Sequence, residues 1–197
     1  MKPYEEKKFS IGTLQGLSEK QMAEHLKLYA GYVKHVNLIV ENVEELSQSS
    51  EKNAYLISEI RRRFAFEFDG MRMHEYYFET FVGGKREHNA SHPLLVALTE
   101  QYGSFGNWST QFKTTAGCRG IGWTILSHDS RTGNLINHSV GDHELGHLAG
   151  LDVILALDMW EHAYMIDYTP GEKKQYIEAF FENLNWGVSE SRFKIMT

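Results

Sequence analysis

Asp152–Tyr168, DVILALDMWEHAYMIDY, is the stretch on which the reading of the chain turns. Its first half, DVILAL, is a short continuous apolar run and reads as a buried strand. The run ends at Asp158, and His162 follows four residues later. If a helical turn begins at Asp158, that spacing puts a carboxylate and an imidazole on one face, where both can bind one metal ion. Trp160, Tyr164 and Tyr168 supply an aromatic surround. A plainer reading is also open. Asp158 can be a helix N-cap, a role Asp often takes, and His162 a core histidine with its hydrogen bonds satisfied.

Outward from this stretch, composition narrows the chemistry. The 197 residues suit one compact domain or two small ones. Cys118 is the single cysteine, which excludes an internal disulfide and a cysteine-based zinc site. Ten histidines remain, so imidazole plus carboxylate is the natural ligand set, and it suits iron, manganese or zinc. A formal charge of −6 argues against non-specific nucleic-acid binding. No run spans a membrane, and MKPYEEKKFSIG lacks an apolar signal core, so a cytoplasmic protein is expected.

Towards the N-terminus, Leu17–Leu46 reads as one long helix. Ser18 is its N-cap, and Met22, Leu26, Tyr29, Val33, Val36 and Val40 recur at helical spacing. His25 lies on or beside that stripe and, taken alone, reads more readily as a core or surface histidine than as a ligand. Ser47–Asn53 is a polar turn, and a second helical stretch follows to about Arg62. From Gly70, Met71, His74, Tyr77, Phe78 and Phe81 fall on one helical face. A histidine in that apolar row needs a polar partner, because burying unpaired imidazole is costly; a metal ion would be one.

After Gly83-Gly84, residues 85–93 look like a linker or domain boundary, and a helix is expected over Leu94–Tyr102. Strands are expected over Gly122–His128 and Asn134–Ser139, joined by the short loop DSRTG, with Asp152–Leu157 as the third. Thr169-Pro170-Gly171 breaks the chain, and Lys173–Asn183 reads as a helix.

DMWEHAYMIDY resembles the C-terminal signature of the iron/manganese superoxide dismutases, D-x-W-E-H-A-Y. The resemblance extends to His25 ahead of Tyr32-Val33, to His74 in MHEYYF, to YGSFGNWSTQFKTTAGCRGIGWTIL at Tyr102–Leu126, and to NLNWGVSESRF at Asn183–Phe193. It implies an α+β fold, with an N-terminal long-helix hairpin over 1–88 and a C-terminal α/β domain over 89–197 that holds a three-stranded antiparallel sheet. It implies one iron or manganese ion per chain, held by His25, His74, Asp158 and His162. The implied reaction disproportionates superoxide to dioxygen and hydrogen peroxide, with Tyr32 at the substrate entrance relaying protons. Trp123, Trp160 and Tyr77 would line the pocket. A homodimer or dimer of dimers is implied, with Glu161 reaching His162 of a second copy.

Several positions depart from the family pattern. The step from His25 to Tyr32 is one residue shorter than usual, which in a helix is about 100° of rotation. Phe78 stands where Trp is usual, Ile121 replaces Ser or Thr, and Met165 replaces a second Tyr. Leu28 or Tyr29 holds the place of a histidine that pairs with Tyr164 across the interface. TPGEKKQY lacks the arginine usual after the signature, leaving Lys173 or Lys174 to supply charge.

Asp142–Asp152, DHELGHLAGLD, carries a rival motif. His143-Glu144-x-x-His147 is H-E-x-x-H, and with Gly150 and Asp152 it resembles zinc-dependent endopeptidases. There, two histidines one helical turn apart hold zinc and the glutamate activates water. That chemistry needs a helix through the motif, and only nine residues separate His143 from Asp152 at the start of a strand. The segment also fits a dismutase branch with N-H-x-x-N-H here and glycine before the second ligand, as Gly70 stands here. In that branch a histidine holds the metal-bound solvent. His143 matches it best, with His147 as runner-up.

Overall fold

The computed structural model describes residues 2–193; the ends of the two expected domains, at residue 1 and residues 194–197, lie outside that range. Two long helices, α1 (Glu19–Ser47) and α2 (Ser50–Glu79), form an antiparallel hairpin. Shorter helices α3 (Pro93–Tyr102) and α4 (Phe105–Ala116) follow, then strands β1 (Trp123–Asp129), β2 (Asn134–Val140) and β3 (Asp152–Asp158), and finally α5 (Lys173–Glu182) and α6 (Trp186–Arg192). The strands make one antiparallel sheet in the order β2-β1-β3.

Local chemistry explains the boundaries. Ser18 caps α1 by accepting the Gln21 N–H at 3.0 Å. On the helix behind it, Met22, His25, Tyr29, Val33 and Val36 are buried along one face. The turn read over Ser47–Asn53 shrinks to Gln48 and Ser49, because Ser50–Asn53 already begin α2. The second helical stretch does not end near Arg62; α2 runs on through Gly70 to Glu79. No proline interrupts this span, and its single glycine costs a helix only about 1 kcal/mol, which packing against α1 recovers. Periodicity gives little sign of α4, because its buried residues are only Trp108, Phe112 and Ala116, a thin stripe in a polar sequence.

The central strand β1 is buried along nearly its whole length, as expected of a strand covered on both faces. The segment read as a linker, 85–93, is tied to the C-terminal residues. Arg86 N–H donates to the Leu184 carbonyl at 3.1 Å, and Trp186 N–H donates to the Arg86 carbonyl at 3.0 Å. Asn89 N–H donates to the buried Glu190 carboxylate at 2.7 Å. Among the described residues no helix is long and apolar enough to cross a membrane.

Candidate metal centre

The register of the sheet brings chemistry to one end. Trp123 pairs with Val140 on one side and with Asp158 on the other. The end of β3 thus sits beside the start of β1, and the end of β2 leads to His143 three residues later. No helical turn begins at Asp158: it is the last residue of β3, and Trp160 is extended. The Asp158 Oδ1 atom accepts the Trp160 N–H at 2.8 Å, an Asx-type turn that bends the chain out of the sheet. A short 3₁₀ turn, Glu161–Ala163, then carries His162. Asp158 and His162 nevertheless meet, because the bend achieves what one helical turn would have done.

Four side chains from four elements converge. Around Asp158 Oδ2 lie His25 Nε2 from α1 at 3.0 Å, His162 Nε2 at 3.2 Å and His74 Nε2 from α2 at 3.5 Å. Their ligand atoms all lie within 4.8 Å of one another, so the group could hold one metal ion. His25, His74 and Asp158 are fully buried, and the His162 side chain is 21 % exposed.

One atom tests the fit. His74 Nδ1–H donates to the Gly70 carbonyl, which leaves Nε2 as a bare lone pair. That lone pair is buried, has no hydrogen-bond partner, and faces a carboxylate oxygen. Two lone pairs turned towards each other in a dry pocket are unfavourable without a cation between them. Protonation states agree. Burial holds the His74 imidazole well below its ordinary pKa, helped by the nearby His25 ring, and burial also lowers His25. Burial opposes ionisation of Asp158, but the His162 and His25 rings outweigh it and hold the carboxyl below the usual range. Neutral imidazole and ionised carboxylate are the forms that bind metals.

Beside the four lies a second, linked constellation. Trp123 Nε1–H donates to His143 Nδ1 at 3.0 Å, so the His143 proton resides on Nε2, which donates to the Tyr32 hydroxyl oxygen at 2.7 Å. With its oxygen accepting from His143, the Tyr32 O–H remains free to donate elsewhere. Burial lowers the His143 pKa to about 4 and raises that of Tyr32, to which Asp158 and Glu67 add. The short step from His25 to Tyr32 has a simple consequence. The helix α1 is regular, and seven residues return to within about 20° of the same face. The Tyr32 ring also lies on Gly70, where a Cβ would come within 2.7 Å of a ring carbon. Glycine is required there by close approach, not by backbone angle.

Residues 90–192 match the model of the iron/manganese superoxide dismutase C-terminal domain. The chain belongs to the iron/manganese superoxide dismutase family. Over 185 residues it is 33 % identical to the superoxide dismutase [Fe] of Cupriavidus metallidurans, covering 91 % of this chain and 90 % of that one. It is 30 % identical over 194 residues to the superoxide dismutase [Mn] of Mycolicibacterium smegmatis, covering 96 % and 91 %. It is 32 % identical over 187 residues to the superoxide dismutase [Fe] of Aquifex aeolicus, covering 92 % and 86 %.

In this dismutase the rival H-E-x-x-H segment builds no second site. Residues 142–146 make turns around a single Gly141–Leu145 bridge, with Asp142 at φ 51° and Gly146 at φ 112°, so no helix stacks the two rings one turn apart. Both His143 nitrogens are engaged as above, and His147 Nε2–H donates to the His143 carbonyl at 2.8 Å. His147 sits at the rim, with a 29 % exposed side chain.

Three supporting residues escaped the sequence reading. The buried Gln21 amide donates to the His162 carbonyl at 2.6 Å and accepts Ile166 N–H at 3.0 Å, clasping the 3₁₀ turn to α1. Its signal was available: a polar residue one turn before His25 on an apolar stripe. The Tyr176 hydroxyl donates to the Asp158 carbonyl at 2.7 Å. Phe66 packs its ring 4.7 Å from His143. Of the charges considered for the missing arginine, Lys173 is occupied elsewhere, donating to the Cys118 carbonyl at 2.9 Å.

Proposed function

We propose that this chain disproportionates superoxide at one iron or manganese ion held by His25, His74, Asp158 and His162. The observation that carries this reading is the buried, unpartnered His74 Nε2 lone pair facing Asp158 Oδ2 in company with two further imidazoles. When bound, the ion supplies one-electron cycling between trivalent and divalent states, so that one superoxide leaves as dioxygen and a second, with two protons, as hydrogen peroxide. Three neutral imidazoles and one carboxylate leave net positive charge on such an ion, which favours an anionic substrate. Gly70 fixes the His74 tautomer, and Tyr176 and Gln21 hold the backbone at Asp158 and His162, as partners of ligands do in metal sites. The protein's own proton chemistry falls to Tyr32. His143, kept neutral by burial and fixed in one tautomer by Trp123, pins the Tyr32 oxygen and leaves its O–H free to donate. Trp123, Trp160 and Tyr77 crowd the ligands and restrict entry to small molecules.

A homodimer is part of the same reading. Glu161 is exposed next to His162, the most accessible of the four, so a partner copy's carboxylate has room to reach that ring. The unit boundary at 88/89 and a cytoplasmic location complete it.

Elemental analysis beside a superoxide-consumption assay tests the core claim. About one iron or manganese per chain and rapid consumption are expected; stoichiometric zinc, or no metal, would refute it. Light scattering and sedimentation test the dimer.

A further inference from the structure

On the outer side of the Tyr32–His143 pair, α2 places a charged cluster that the reaction as described does not use. The Arg63 guanidinium carbon lies 3.5 Å from the centroid of the Phe66 ring. Phe66 in turn packs 4.7 Å from the His143 ring and 6.2 Å from the Tyr32 ring, centroid to centroid. The cation is thus one aromatic ring away from the pair that faces the pocket. Its own side chain is 54 % exposed, so solvent reaches its free donors.

The rest of the cluster orients this charge. Arg63 Nε–H donates to Glu67 Oε1 at 3.0 Å, and Glu67 is almost fully buried. The other Glu67 oxygen has no hydrogen-bond partner and lies 3.5 Å from His35 Nδ1 on α1. The negative end therefore turns between the helices towards His35, while the guanidinium carbon sits over the Phe66 ring. Arg63 contributes positive potential at both the Tyr32 hydroxyl and the His143 imidazole, whereas Glu67 opposes it at Tyr32.

An anion approaching this protein meets a formal net charge of −6, so attraction must come from local charge near the entrance. A guanidinium is suited to the place: it stacks on an aromatic face, is weakly hydrated, and keeps its charge at any relevant pH.

We propose that Arg63, held on Phe66 at the mouth of the Tyr32–His143 pocket, is the residue that steers the anionic substrate into the site. The proposal rests on the superoxide reading above. It assigns Arg63 to encounter, not to proton transfer or metal binding.

Two readouts test it, across ionic strengths from about 0.01 to 0.5 M, where the screening length falls from ~30 Å to a few Å. One is kcat/KM for superoxide. The other is the affinity of the metal-loaded protein for azide, followed by visible absorption. Arg63→Gln is expected to lower both by about two- to fivefold at low salt, with the difference vanishing at high salt. Arg63→Lys keeps the charge and should stay near wild type in both. Glu67→Gln removes the opposing charge and should raise both, by up to about twofold. Parallel salt profiles for wild type and Arg63→Gln would overturn the proposal. So would equal losses in the Lys and Gln variants at every salt concentration, which would mean that Arg63 only braces Phe66. A wild-type protein that shows the azide behaviour but consumes no superoxide would refute the dismutase reading and leave the steering role standing.

Discussion

Two pairs of residues in this chain share one spacing and end differently. Asp158 and His162 are four apart, as are His143 and His147, and neither pair lies on an α-helix. Asp158 and His162 meet at 3.2 Å and are joined by imidazoles from α1 and α2. His143 turns inward to Trp123 and Tyr32, while His147 turns back onto the His143 carbonyl. The lesson is that an i, i+4 spacing becomes a site only where the backbone aims both side chains at one point. At Asp158 a strand end and an Asx turn do so. At His143 two left-handed residues point the rings apart.

The sharpest way to break this contrast is to delete one histidine from each pair. His162→Ala should reduce iron or manganese to below about a tenth of an ion per chain and abolish activity, since losing one of four protein ligands leaves an incomplete set. His147→Ala should change metal content by less than about a fifth. Elemental analysis of both proteins, purified alike, decides it; equal metal loss would merge the two pairs into one site.

Gly70 offers a test with a smaller effect. Gly70→Gln places a side chain where the Tyr32 ring now lies. We expect kcat to fall about tenfold with metal retained, and stability to fall by about 1–3 kcal/mol, as overpacked sites do. Stopped-flow kinetics and denaturant titration measure the two.

The inward histidine has a pH signature. His143 is held near a pKa of about 4 by burial, below its ordinary 6.5. Between those values the unfolded chain binds a proton that the folded chain does not. Stability therefore falls as pH drops through that window and is unaffected above it. In metal-free protein, His143→Gln should make this acid slope shallower by up to ~1.4 kcal/mol per pH unit, the contribution of one proton. Urea titrations at pH 4.5, 5.5 and 7.5 would show it, and an unchanged slope would refute it.

Among these effects the smallest is expected from Tyr176→Phe, which removes the hydroxyl from the Asp158 carbonyl. About 1 kcal/mol of stability should be lost in a urea titration.

Much of this molecule is legible from one dimension. The α1 stripe from Met22 to Val36, the sheet strands to within a residue or so, and the D-x-W-E-H-A-Y stretch depend on local periodicity and on a dense motif. The misreadings share a cause. The helix α2 runs past Arg62, where the second helical stretch is read to end, and the glycine within it serves a tertiary purpose, to admit Tyr32. The helix α4 escaped because its apolar stripe is thin. At Asp158 the spacing admits a helical turn as readily as the strand end and bend that are found there.

The sequence by itself determined which residue types could form a metal site: one cysteine, many histidines, and an aspartate and histidine closing an apolar strand. Only the tertiary structure decided which histidines share a carboxylate oxygen, that His143 rather than His147 faces Tyr32, and that Arg63 ends on Phe66. The physical reason is that ligand type is a property of a side chain, whereas convergence depends on helix packing and strand register set by residues far away along the chain.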